Sequence, residues 1–407
     1  MAQKNISWPL VLSIIFLHFM IVRMAGFPLT IVPFAISIFL YFHVKTAIKP
    51  RGLLLGGALL IWPICVYVMY EMLGGSADLT EFSKTYLLWV YAISAIILIS
   101  FAPLKRTINY SFEFLIALVV ITVFSLAQIL FFKLLGSTLL YNPFGAYTYM
   151  GEYQIERFSG DEYSRAPGFY LEPSFCAFVI FFLTAAILIS NDKNRAFNWL
   201  LAFSLLSVVI TGSASGMIAI PSLIIVRAIA ILKSKLLKLI LVFVTPVLIV
   251  IFGEIFLSHR VEEIAVEGSS GYWRLVAPLI ILTKVFAEYP LGVPFGQIEA
   301  FLLPLGLQHG TNTGTSIDNG VYYLAFYFGW FVVPFVAGLL YKFLQSMFRG
   351  DVTGVTYWWF ILFSLQFSGG VLLPEYIFPL LLITMQYRRI VHLKNNWFAQ
   401  PFESNGK

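Results

Sequence analysis

The chain runs to 407 residues, 59% hydrophobic, 17% aromatic and only 11% charged, with a mean hydropathy of +0.87 and a formal net charge of +6. A soluble domain carries roughly 25% charged residues. No globule of this size has interior enough to hide the apolar surplus, which must face lipid, so a soluble enzyme, a disordered chain and a globular domain on one anchor are excluded.

The apolar content corresponds to roughly twelve spans of about 20 residues each. In chain order, the windows predict helices over 8–22, 26–44, 53–70, 86–102, 112–132, 173–190, 197–211, 216–232, 239–257, 318–340, 354–372 and 375–387. The first run follows Lys4 and has no small-x-small cleavage site behind it, so it is read as a retained span. The seventh and eighth close a tight hairpin around Thr211-Gly212-Ser213-Ala214-Ser215-Gly216. The fold class expected is an all-α polytopic membrane protein with about 12 transmembrane helices, a single integral membrane domain over 1–407. Two connections are long, about 133–172 and 258–317, and long connections in compact proteins tend to carry function.

Charge placement orients the chain. With both termini cytoplasmic, eighteen of the 26 basic residues fall on inner segments together with four acidic ones. The outer side keeps Arg23, Lys84, Lys133, Arg157, Arg165, Arg260, Arg274 and Lys284, against sixteen acidic residues. Short inner loops rich in Lys and Arg are what the positive-inside rule demands. Both long loops then lie outside, where the chemistry is expected. No internal repeat is evident, which weakens a transporter built from inverted halves.

The first long loop ends in Arg165-Ala166-Pro167-Gly168-Phe169-Tyr170-Leu171-Glu172-Pro173-Ser174. Pro173 suits a first helical turn, Gly168 permits a turn that brings Arg165 back, and Glu172 sits at a helix N-terminus. A capping carboxylate paired with Arg165 only to shape the loop is the plain alternative. Ser213 and Ser215 could donate to a phosphate or sugar oxygen, or simply belong to a turn built for close helix packing. Arg260 and Arg274 suit pyrophosphate, although Glu262, Glu263 and Glu267 could make the segment a set of exposed ion pairs. His309 is a candidate in a Gly/Thr/Asn stretch where solvated histidines are common. Asp318 and Asn319 stand at the opening of a further span. The tyrosines of the first loop suit sugar faces or an interfacial belt.

Several chemistries find no support. There is no phosphate-cradling Gly-rich loop with its Lys, no strand–helix nucleotide pattern and no nucleophile elbow. Neither Cys65 and Cys176 nor any Asp-x-Asp supplies a metal site, and nothing points to nucleic acid. The expectation is a reaction without cofactor or metal, on a donor already activated and held by arginines.

Together these elements resemble the Wzy-type O-antigen polymerases and their relatives, the O-antigen ligases, over roughly 110–385. The carrying residues are Arg165-x-x-Gly168-x-x-x-Glu172-Pro173-Ser174, the Thr211–Gly216 turn, Pro290-Leu291-Gly292 and Asp318-Asn319-Gly320. Arg157 with Gly168, and Arg260 with Gly271, reproduce the family's spacing of Arg, ten residues, Gly in the third and fifth outer loops. Two departures stand out: Ala214 replaces an Arg of the small turn, and Asp318 replaces the His that ligases place before Asn, while Asn319 and Gly329 keep the ligase spacing. The second favours polymerase over ligase.

The resemblance implies a metal-independent, lipid-carrier-dependent glycosyltransferase of GT-C type in the bacterial inner membrane. It would move a growing glycan from undecaprenyl pyrophosphate to an undecaprenyl-pyrophosphate-linked repeat unit on the periplasmic face, with a chain-length regulator as a candidate partner. Arg165, Glu172, Arg274 and Asp318 would carry the reaction. Arg157, Gly168, Ser174, Ser213, Ser215, Arg260, His309 and Asn319 would bind substrate. An O-antigen ligase and a flippase or transporter of lipid-linked oligosaccharide are the alternatives.

Overall fold

The computed structural model describes residues 6–399, apart from 25–26, 46, 106–107, 138, 142–164, 191–196, 257–265, 267–268, 307, 310–311, 314–316, 318 and 368–369. The chain opens with α1 (Trp8–Ile15), the hairpin β1 (Met20–Met24) and β2 (Phe27–Thr30), and α2 (Val32–His43). Long helices follow: α3 (Pro50–Met72), α4 (Leu79–Phe101), α5 (Ser111–Leu135), α6 (Pro173–Ser190), α7 (Phe197–Thr211), α8 (Ala214–Ile231) and α9 (Lys235–Phe256). Three short helices come next, α10 (Ser270–Leu275), α11 (Ala277–Glu288) and α12 (Ile298–Leu302), with a small hairpin of β3 (Gln308–His309) and β4 (Asn312–Thr313). The remainder is α13 (Gly320–Phe328), α14 (Val332–Arg349), α15 (Val352–Ser364) and α16 (Pro374–Ala399).

Among the described residues, six helices are long and apolar enough to cross a membrane, and three shorter apolar ones accompany them. A polytopic, mainly helical membrane protein is therefore what the chain forms, but the twelve continuous spans are not all there. The predicted helix over 8–22 stops at Ile15, and Met20–Met24 pairs antiparallel with Phe27–Thr30. Pro33 is the physical reason for the later start of the second helix. It would fall in the interior of the predicted 26–44 helix, where it has no N–H to donate, whereas a start at Val32 puts it in the first turn. Pro28 is tolerated on an edge strand. The predicted helix over 375–387 is longer than expected, extending to Ala399. The one over 318–340 is interrupted at Gly329–Phe331.

Helix α6 is the axis of the bundle. It is buried along nearly its whole length, against α5, α7, α8, α15 and α16. With no hydrophobic drive between helices in lipid, small residues and hydroxyls join such neighbours. Gly216 of α8 lies where a Cβ would come within 2.6 Å of the Ala177 Cβ on α6. Thr122 and Ser207 bond at 2.7 Å between α5 and α7, and Thr184 donates to Ser204 at 2.8 Å between α6 and α7. The outward faces carry Leu54, Met72, Leu134 and Phe243, all exposed as lipid-facing residues should be.

The break between α13 and α14 shows how non-helical backbone survives at such a place. In an unbroken helix the Trp330 amide would bond the Phe326 carbonyl. Here Trp330 donates to the Pro290 carbonyl at 3.0 Å, and Phe326 accepts from the Val293 amide at 2.9 Å. The Pro290–Val293 strand of loop thus takes over both halves of the lost bond, as a buried break requires. Gly292 (φ +99°) and Gly329 (φ +53°) allow this approach; a Cβ on either would overlap backbone across the contact.

Candidate active site

At the end of the bundle where α6 begins, segments far apart in sequence meet. Glu172 precedes Pro173, and its carbonyl accepts from the amides of Phe175 and Cys176 at 3.1 and 3.2 Å. Its carboxylate Oε1 accepts from the Ser174 hydroxyl and lies 3.8 Å from Arg274 Nη2. Both ion-pair partners keep about a quarter of their side-chain surface accessible, 21% for Arg274 and 26% for Glu172. The pair is neither sealed in the core nor fully solvated.

Arg274 stands in the last turn of α10, a six-residue helix capped by the Ser269 hydroxyl on the Tyr272 amide at 3.1 Å. So short a helix needs an anchor, and Trp273 is wholly buried beneath it. Arg274 Nη1 donates to Ser215 Oγ at 3.3 Å, while its buried Nε meets no hydrogen-bond partner among the described residues. A guanidinium steadied by Ser215 and Glu172 while part of its side chain stays accessible is suited to an incoming anion.

Arg165 reaches the same turn from the other side. Its aliphatic stem lies against Gly212 (φ +61°), where a Cβ would come within 2.9 Å of Cγ. The next amide, Ala166, donates to the Ile210 carbonyl at 3.5 Å. The Thr211–Gly216 turn therefore has two roles. Ser213 is consumed as the cap of α8, accepting from Gly216 N at 3.4 Å, whereas Ser215 steadies Arg274.

Gly168 acts through its backbone. At φ +62° it forms the turn that returns Arg165, and Gln128 of α5 clasps it: the Gly168 amide donates to Oε1 at 2.9 Å. Gln128 Nε2 donates to the carbonyls of Gly168 and Leu140, each at 2.8 Å. Gln128→Leu should strand these buried groups at a cost of about 2–4 kcal/mol, read as a lower melting temperature of the purified protein in detergent.

Asn319 caps α13, with Oδ1 accepting from Val321 N at 3.0 Å and Tyr322 N at 3.4 Å. Its Nδ2 donates to Gln366 Oε1 at 2.7 Å and approaches the Arg274 carbonyl at 3.5 Å. It thereby ties α10 to α13. The structure thus gathers Arg165, Glu172, Ser174, Ser213, Ser215, Arg274 and Asn319 with the Gly168 turn. Arg157, Arg260 and Asp318 lie outside the described residues, and of His309 only the backbone, in β3, is described. Pro290-Leu291-Gly292 serves the α13–α14 break rather than this cluster.

Gln128, Trp273 and Gln366 were missed from sequence. A carboxamide inside an apolar run is costly unless bonded, so Gln128 and Gln366 were detectable as isolated amides in the fifth and eleventh predicted spans. Nothing in sequence singles out Trp273 among 9 tryptophans.

Comparison with known proteins places the chain in a family. The family described as WcaD colanic acid polymerase matches residues 6–389. A protein of Escherichia coli (strain K12), provisionally described as a colanic acid polymerase, is 27% identical over 375 residues, covering 87% of this chain and 89% of that protein. The match takes in α1 to most of α16 and every segment of the cluster, and the chain belongs to the WcaD colanic acid polymerase family.

Proposed function

We propose that this protein is a metal-independent polymerase of lipid-linked repeat units, acting at the periplasmic face of the bacterial inner membrane. The observation that carries the reading is the convergence of Arg165 and Arg274 on the Thr211–Gly216 turn, beside Glu172, in a member of a polysaccharide polymerase family. The acceptor hydroxyl of one undecaprenyl-pyrophosphate-linked unit attacks the anomeric carbon of the growing glycan. The bond from that carbon to the pyrophosphate oxygen breaks, and undecaprenyl pyrophosphate departs with the electron pair. The arginines neutralise the charge that develops on it; preorganised donors of this kind are worth about 10²–10³ in rate each. Glu172 orients the acceptor hydroxyl and takes its proton, a role that Asp318 could share. The family and its Escherichia coli member favour a polysaccharide of the colanic acid kind over O-antigen as the product.

The test is an extension assay with purified protein and lipid-linked repeat units, with and without EDTA. A ladder of lengthened glycans, unchanged by EDTA, is the expected result. Transfer to lipid A-core in place of lengthening would make the protein a ligase. Movement of label across vesicles with no lengthening would make it a transporter.

A further inference from the structure

Gln366 lies in the turn after α15, and its orientation is dictated by a chain of hydrogen bonds. Asn319 is 2% exposed, and its oxygen is occupied by the two helix amides that it caps. An amide whose oxygen accepts from backbone N–H groups must use its NH2 toward every other partner, which fixes the Asn319 flip. That NH2 meets Gln366 Oε1 at 2.7 Å. Gln366 is therefore oriented in turn: its oxygen faces Asn319, and its own NH2, with two donor hydrogens, is turned away from it. Among the described residues no acceptor meets this nitrogen, and it is not sealed from solvent. Because one Asn319 nitrogen approaches both Gln366 Oε1 and the Arg274 main-chain carbonyl, the Gln366 carboxamide lies close to the backbone of the residue whose guanidinium meets Glu172 and Ser215.

We propose that Gln366 Nε2 hydrogen-bonds a hydroxyl of the sugar attached to the pyrophosphate at Arg274. The proposal rests on the function proposed above. Guanidiniums outcompete a neutral amide for the phosphate oxygens, whereas a rigidly held carboxamide suits a neutral hydroxyl and reads its position. Gln366 thus adds a sugar-recognising donor to a site otherwise built to hold charge.

Two probes test this on the purified full-length protein. One is the lipid-linked repeat unit isolated from a strain deleted for this gene, and the other is bare undecaprenyl pyrophosphate. Gln366→Glu keeps an oxygen for Asn319 but removes the NH2; Gln366→Met removes both at similar length. Both variants should bind the sugar-bearing probe up to about tenfold more weakly, the size of one neutral hydrogen bond. Gln366→Met should bind the bare carrier as the unsubstituted protein does. Undiminished binding of the sugar-bearing probe by either variant overturns the proposal. So does an equal loss by Gln366→Met on both probes, which would leave Gln366 only as a support for Asn319. If the unsubstituted protein binds neither probe, the functional reading itself falls.

Discussion

Arg274→Ala is expected to abolish chain extension while leaving the protein in the membrane at its usual level. The guanidinium donates to Ser215 and pairs with Glu172 at the mouth of α6, yet Trp273, not Arg274, pins α10 to the bundle. The loss should therefore fall on the reaction rather than on folding, by a factor on the order of 10²–10³. Arg274→Lys should recover little, because an ammonium cannot offer the planar, paired donors that grip a pyrophosphate. Polysaccharide length on a gel, in a deletion strain carrying each variant, is the measurement. A near-normal ladder from both variants would refute the role assigned to Arg274.

Gly292→Ala should act in the opposite way, by removing the protein. The φ of +99° already disfavours a side chain, and the added Cβ would collide with the Tyr327 carbonyl and the Phe328 amide nitrogen. Both belong to helix α13 just before its break, so neither can move without opening the exchanged bonds at Pro290 and Phe326. A cost of about 4 kcal/mol or more is expected, among the largest for a single substitution. It should be read as loss of protein from the membrane fraction. Gly338→Ala provides the contrast: its Cβ would meet nothing within 4 Å, and the variant should accumulate normally.

These two residues illustrate what was legible in sequence. Arg274 was among the candidates because it was one of few charges on the outer side of an apolar chain, and scarcity made it conspicuous. Its partners were not deducible: Ser215 lies 59 residues away, and only the fold shows that Ser215 rather than Ser213 meets the guanidinium. Both serines fit the same hydroxyl-rich pattern, but one was used to cap a helix. Gly292 belonged to a motif expected near the site. Its tertiary role, letting the loop approach a break in another helix so that Pro290 and Val293 take over the lost bond, leaves no local signature.

The hairpin at Met20–Thr30 marks the limit of hydropathy. Apolar content says that a segment shuns water without saying whether its backbone bonds to itself or to a neighbour, and Pro33, which is unfavourable inside a 26–44 helix, bears on that choice.

The sequence by itself determined that this chain lives in a membrane and which of its scarce charges to examine, and those follow from composition, because transfer of apolar and charged groups between water and lipid is nearly additive along a chain. Tertiary structure alone decided which polar groups face one another. Arg165, Glu172, Ser215, Arg274 and Asn319 come from four separate stretches of chain and meet at one end of α6. Hydrogen bonding depends on distance and direction, and those are set only when the helices pack.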